Sequence, residues 1–298
     1  MTLEALIEAK LGEPVPEAEA YVPALLPAGE EPALLFAYGS CLSKKTRTPS
    51  SFFDFYVVAD RPGAYLARAF HAGVMQALLG RVLPPSVYHR TIGSGGPGEP
   101  RRFKVCVLST DQIRRETSSR ARDIHHLGRF SKRMALLWAR NDAARQEATR
   151  LCASALRTLL PHALALVPRN APAEDFALAM LRLSYLGEQR VAEDSKVRAL
   201  LDAEPDYYAS LFAKLREEPP GLAPDAARTR RFLARSRRRG LLRWPKYVIT
   251  VDGWLDILLD KLERHHGVKL ELSPRERRWP LLFAWGKYLE MRRKGIVR

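Results

Sequence analysis

The sequence predicts an α+β fold in three parts: a mixed sheet with helices, then a mainly helical segment, then a basic C-terminal region. Three observations predict it. Apolar runs at Leu34–Tyr38, Phe52–Val58 and Arg102–Leu108 read as strands bounded by Gly, Ser and Pro signals. From Ser109 to about Leu215 the apolar residues recur with helical spacing. Beyond Pro219–Pro224, the best linker candidate, arginines crowd beside tryptophans.

Taken in order, Leu3–Leu11 reads as an acidic N-terminal helix, joined by the Pro- and Glu-rich stretch Glu13–Pro32 to the first strand. The second strand ends near the turn signal Asp60-Arg61-Pro62-Gly63. Ala64–Leu79 then reads as a helix, with Leu66, Ala69, Phe70, Val74 and Leu78 near one face, and Gly80–Pro85 breaks it. Val87-Tyr88-His89 begins a short strand, Gly93–Gly98 is a loop, and Arg102–Leu108 is the third strand. Ser109-Thr110-Asp111 has the character of a helix N-cap. Helix-period segments are expected at Leu127–Leu160 and Glu174–Leu186, separated by Pro161 and the Pro168–Pro172 stretch, with a shorter helix at Tyr207–Leu215. The expected division is an N-terminal helix and connection (1–32), an α/β domain (33–115), a helical domain (116–218) and a basic aromatic region (225–298).

A chain of 298 residues is long enough for two domains with their own cores. Its 49 Lys and Arg against 33 Asp and Glu leave a net charge of +16, which predicts attraction to polyanions: nucleic acid, an anionic membrane surface or a highly charged nucleotide. Cys41, Cys106 and Cys152 have no metal-ligand spacing and form no even set, so reduced thiols in a cytosolic compartment are expected. No stretch approaches the roughly 18 continuous apolar residues of a membrane span, and the acidic N-terminus lacks a basic signal-peptide start. A protein of this kind would meet a membrane from the cytoplasmic side, peripherally.

The chemistry is concentrated where Tyr38-Gly39-Ser40 ends the first strand and Asp54 begins the second. Glycine lets a backbone approach a triphosphate closely, and a following hydroxyl and amides hold phosphate oxygens. A carboxylate on the neighbouring strand can hold the Mg²⁺ that bridges those oxygens, as nucleotidyl transfer requires. The bland alternative is a tight turn between two core strands. A second metal ligand two positions on is absent, since Tyr56 stands there; Asp60 lies on the same strand face but roughly 20 Å further along. Asp111 and Glu116, past the third strand, are the nearest other acids in sequence, and Asp111 is taken as the partner. The pairs His125-His126 and His265-His266 have no cysteine or carboxylate at zinc spacing.

Several segments in order resemble the mitochondrial-type CDP-diacylglycerol synthases, also called mitochondrial translocator assembly and maintenance proteins. Phe36-Ala37-Tyr38-Gly39-Ser40 and Phe53-Asp54-Phe55 are similar to that family's Tyr-Gly-Ser turn and Asp-Phe strand. Val87-Tyr88 resembles a valine-tyrosine-aromatic-asparagine segment, from which His89 departs, and Phe103–Ser109 resembles a lysine-bearing strand. Leu127-Gly128-Arg129-Phe130-Ser131-Lys132 is similar to an Ala-Gly-Arg-Leu-x-Lys element. Leu183-Ser184-Tyr185-Leu186-Gly187-Glu188-Gln189-Arg190, with Glu193 and Lys196, resembles a Leu-Ser-Tyr-x-Gly-Asp-x-Arg segment, and Tyr207-Tyr208 also fits. The resemblance spans roughly residues 33–215; the Gly93–Gly98 insertion and the basic tail fall outside it.

The resemblance implies a nucleotidyltransferase-type sheet and a phosphatidate cytidylyltransferase that moves CMP from CTP to phosphatidic acid, with Mg²⁺ as cofactor. It implies Tyr38, Gly39, Ser40 and Arg190 at the nucleotide, Asp54 and Lys104 in catalysis, and Arg129 and Lys132 on the substrate phosphate. Each of these basic residues could equally be a solvated surface charge, and the Gly187-to-Arg190 stretch a helix cap with a Glu–Arg pair. The run Arg228, Arg230, Arg231, Arg235, Arg237, Arg238, Arg239, interleaved downstream with Trp244, Tyr247, Trp254, Trp279, Phe283, Trp285 and Tyr288, reads as an interfacial anchor on an anionic bilayer. A small helical domain with an aromatic core, or an RNA-binding tail, are its alternatives. The competing functions are nucleotidyl transfer to another acceptor (RNA, protein or another phospholipid phosphate) and non-catalytic nucleic-acid binding.

Overall fold

The computed structural model describes residues 1–39, 42, 53–71, 78, 85–92, 101–188, 194–250, 254–256, 259, 263, 269–279, 283 and 285–293. Five strands form one mixed sheet: β1 (Leu34–Tyr38), β2 (Phe53–Val58), β3 (Ser86–Ile92), β4 (Arg101–Leu108) and β5 (Met134–Ala139), in the order β3-β4-β2-β1-β5. Only β2 and β4 run parallel; the other pairs are antiparallel. Strands covered on both faces read as near-continuous apolar runs, and β2 and β4 do so. Within Phe53–Val58 and Phe103–Leu108, Asp54 and Lys104 are the exceptions, partly exposed between buried neighbours.

One sheet face carries Phe36, Tyr38, Tyr56, Val58, Cys106 and Leu108. It packs against α1 (Leu3–Leu11), α6 (Ile124–Phe130), α7 (Asp142–Leu164), α8 (Ala173–Leu186) and α10 (Pro205–Glu217). The opposite face, with Phe55, Val57, Phe103 and Val105, packs on Tyr21 and Leu25 of the N-terminal connection and on α4 (Pro62–Phe70). There the Tyr65 hydroxyl donates to the Leu25 carbonyl at 2.9 Å, fixing the connection to that helix. The connection itself holds two short helices, α2 (Pro16–Glu19) and α3 (Val22–Leu25); further helices among the described residues are α5 (Thr110–Glu116) and α9 (Asp194–Ala203).

The architecture is α+β as the sequence predicts, with three corrections. The expected helix over Leu127–Leu160 is instead α6, strand β5 and α7. A short apolar run such as Met134–Ala139 reads equally as strand or buried helix from periodicity alone; the free edge of β1 decides it, pairing with β5 across a register shift at Leu35/Phe36. Pro161 does not separate helices but sits in the last turn of α7, where it removes only one ladder bond. α4 stops at Phe70, capped by His71 at φ 53°, and Val74 of the longer expected helix lies outside the described residues.

The expected domain boundary at residue 115 is absent. β5 carries the later segment into the sheet, and α1 packs on α7 in the same core. The chain divides instead into Met1–Trp244 and Pro245–Arg298, a boundary that falls within α11 (Ala226–Thr250). The second unit contains α12 (Pro274–Arg278) and α13 (Trp285–Arg293). Within it Trp279, Phe283 and Leu289 are exposed, and the Arg275 guanidinium lies 4.1 Å from the Phe283 ring centre.

Candidate functional site

Strand register builds the candidate site. Tyr38 pairs with Asp54, Asp54 with Lys104, and Lys104 with His89, so four residues cross the sheet in one row at the end where β1 stops and β2 starts. In-register neighbours share a face. The Lys104 ammonium therefore reaches the Asp54 carboxylate, Nζ to Oδ1 2.6 Å, with 19% and 26% of the two side chains exposed. Gly39 follows Tyr38 at φ +88°, a conformation that favours glycine. A Cβ there would lie 3.3 Å from Asp54 Oδ2, so the turn rests directly against the carboxylate. Ser40 and Cys41 lie outside the described residues.

Tyr38 supports this pair from beneath. Its ring is buried against Tyr56, 4.7 Å between centres, and Lys104 Nζ stands 5.7 Å from the ring centre. Burial holds its phenol protonated, well above the ordinary tyrosine range. Asp111 is elsewhere. Val58 pairs with Leu108 four residues along the parallel strands, about 13 Å from the Asp54–Lys104 level, and Asp111 begins α5 beyond that far end. Asp60 is there too, accepting from Arg140 at 2.7 Å and Thr110 at 3.2 Å. Glu116 is buried and paired with Arg115 at 3.1 Å. Asp111 is thus not a partner of Asp54, because the parallel pairing of β2 and β4 sends it to the opposite edge. Among the described residues no three His, Cys, Asp or Glu gather as a metal-ligand group.

Arg129 and Lys132 meet a different element, the C-terminal end of α8. Arg129 donates to Glu188 Oε1 at 2.6 Å and to the His125 carbonyl. Lys132, beyond the end of α6, places Nζ 4.2 Å from the Tyr185 ring centre. Close helix packing sets this up. A Cβ on Gly128 would lie 2.5 Å from Ser184 Cβ, and one on Gly187 would lie 2.3 Å from Ile124 Cγ2. Gly187 itself has φ −91°, so it is needed for space and not for a left-handed cap. Glu188 pairs with Arg129; Gln189, Arg190 and Glu193 lie outside the described residues.

Asp123, Ser236 and Arg243, which sequence reasoning did not single out, help complete this crossing. Asp123, fully buried, accepts from the His125 amide at 3.0 Å as N-cap of α6 and pairs with Arg239 at 3.0 Å and Arg243 at 2.9 Å. Although burial opposes it, Arg243 beside the carboxylate holds Asp123 ionised below the usual range. Ser236 accepts from the Ile124 amide at 3.1 Å and donates to the Gly187 carbonyl at 2.7 Å, bridging both helix ends. Arg237 donates to the Leu186 carbonyl at 2.9 Å. Part of the arginine run is therefore structural. The signal that could have found Asp123 is an acid directly before an apolar helix start. His125 and His126 are both pushed down by burial, with nearby guanidinium groups adding to it, and His126 Nδ1 lies 2.9 Å from the Tyr56 hydroxyl.

Compared with protein-family models and with curated proteins, the chain matches none.

Proposed function

We propose that the protein is a metal-dependent nucleotidyltransferase that moves CMP from CTP to phosphatidic acid, giving CDP-diacylglycerol and pyrophosphate. The observation that carries the transferase reading is the partly exposed Asp54–Lys104 pair resting against the left-handed Gly39 turn at one sheet edge. Asp54 fits a Mg²⁺ ligand of the kind that supplies one carboxylate while phosphates and water supply the rest. The metal, when bound, would neutralise charge on the phosphate oxygens. Gly39 gives a triphosphate close access to the backbone, and Lys104 supplies a positive charge for the phosphates. A phosphomonoester oxygen of the acceptor forms a bond to the α-phosphorus as the bond to the bridging oxygen breaks, and pyrophosphate departs. Arg129, paired with Glu188, holds the α6–α8 crossing beside the sheet.

The lipid acceptor rests on the family resemblance and on the C-terminal unit, where exposed Trp279, Phe283 and Leu289 accompany Arg275, Arg277, Arg278 and Arg293. Basic residues beside exposed aromatics suit an anionic bilayer surface. Among the described residues no helix is long and apolar enough to cross a membrane, and we place the protein peripherally on the cytoplasmic face of the inner membrane. The test is pyrophosphate release from each nucleoside triphosphate, with and without phosphatidic acid vesicles. Release that requires both CTP and phosphatidic acid supports the reading. Release with a different acceptor retains the transferase and removes the lipid. No release, together with RNA binding that weakens steeply with salt, would replace both with a nucleic-acid-binding protein.

A further inference from the structure

Lys104 is the fourth residue of β4 and Asp54 the second of β2, in register on parallel neighbours, so the two side chains rise from one face at one level. The ammonium covers Oδ1 at 2.6 Å, and the Gly39 backbone closes on Oδ2. The direction from which a cation would approach the carboxylate is held by a charge of the same sign as the cation.

We infer that Lys104 is the resident counter-ion of Asp54 and bars a free divalent cation from the carboxylate until the phosphates of a nucleotide draw the ammonium away. The inference rests on the reading of Asp54 as a metal ligand and adds an order of binding to it. Two further observations support it. Among the described residues no cluster of carboxylates, histidines or cysteines backs Asp54, and Asp111 lies beyond the other sheet edge, so the described residues alone offer a cation few ligands. Mg²⁺ sheds water reluctantly and is ordinarily held by one or two carboxylates together with substrate phosphates. The lysine also has somewhere to go: its flexible stem lets the ammonium swing, and the Tyr38 ring face is already 5.7 Å from Nζ. Phosphate oxygens seated at the Gly39 turn then accept from Lys104, while Asp54 receives the cation they carry. One N–H···O bond to a carboxylate is exchanged for one to a phosphate, and every charge keeps a partner. The true nucleotide substrate is accordingly the metal complex of the triphosphate.

The experiment measures Mn²⁺ affinity by water-proton relaxation on the full chain, with and without CTP, for the wild type, Lys104→Met, Lys104→Gln, Asp54→Asn and the double variant Asp54→Asn/Lys104→Met. Two lysine replacements of different polarity guard against a local folding defect in either. Without nucleotide, both lysine variants are expected to bind Mn²⁺ about tenfold or more tightly than the wild type, in proportion to the loss of one neighbouring charge. The double variant loses that gain. Equal Mn²⁺ affinity in the wild type and both lysine variants, with Asp54→Asn still weakening it, overturns the inference and leaves the metal ligand standing. Asp54→Asn without effect in any background, with or without CTP, overturns the inference and the reading beneath it together.

Discussion

Two groups of charges, one at the sheet edge and one at the crossing of α6 and α8, are held in opposite ways. Among the described residues, Asp54 and Lys104 are held by the strands they stand on and by each other, with Gly39 alongside. At the crossing, two glycines set the helix separation, Ser236 bridges both helix ends, and Asp123 anchors two arginines in the interior. There Arg129 has two acceptors already in place. The first arrangement can exchange partners at little cost to the fold; the second cannot. Motif residues that look alike in sequence thus divide into a pair suited to chemistry and a set that builds the wall behind it.

The comparison breaks first at Asp54. Asp54→Ala is expected to reduce pyrophosphate release by about a thousandfold or more, on the order of 4 kcal/mol of barrier, while the thermal midpoint moves little. Activity retained in a folded Asp54→Ala protein removes the sheet edge as the site. Next comes the contrast of two cations. Arg129→Met removes the guanidinium from Glu188 and should cost about 2–3 kcal/mol in urea unfolding, below the cost for a fully enclosed pair. Lys104→Met leaves a carboxylate that is about a quarter exposed and should cost less, about 1–2 kcal/mol. Equal losses would erase the distinction between the two regions.

Gly187→Ala forces a methyl into Ile124 and should destabilise by about 1–3 kcal/mol, and Ile124→Ala in the same chain should restore part of it by making room. A neutral Gly187→Ala would mean that the helices separate freely. The smallest effect is acid sensitivity. His125 and His126 are held neutral in the fold, so the unfolded chain binds more protons below its histidine pKa of about 6.5. Stability is full above that value and falls as pH drops below it, by under about 1 kcal/mol per histidine between pH 7 and pH 6. The two contribute about equally in that window, because each stays neutral in the fold well below pH 6. His126→Gln should flatten the profile of urea midpoint against pH; an unchanged slope would assign it to other groups.

β2 and β4 were legible as apolar runs, each interrupted at the same level, by Asp54 and Lys104, and that interruption is also the candidate site; β5 was not. Charges that break a buried strand are conspicuous in one dimension. The register that places them opposite each other is not, since β2 and β4 are more than forty residues apart and pair only through the sheet. Asp111 was misplaced for the same reason: proximity in sequence says nothing about which edge a parallel strand delivers a residue to. Glycines 128 and 187 were visible, but their purpose was not, because a requirement for space comes from the partner helix. The arginine run read as an interfacial anchor; Asp123, more than a hundred residues earlier, takes its last member, Arg239, and Arg243 just beyond it, inward.

β5 has a consequence for how the protein can be cut. A fragment ending before Met134 would retain β1 to β4 and every described residue of the sheet-edge pair, yet it would leave β1 with a bare row of amides and carbonyls. Such a margin recruits strands from other molecules. A fragment trimmed to β1–β4 should therefore precipitate during expression, and any truncation meant to isolate the candidate site has to keep the strand that arrives from the helical half.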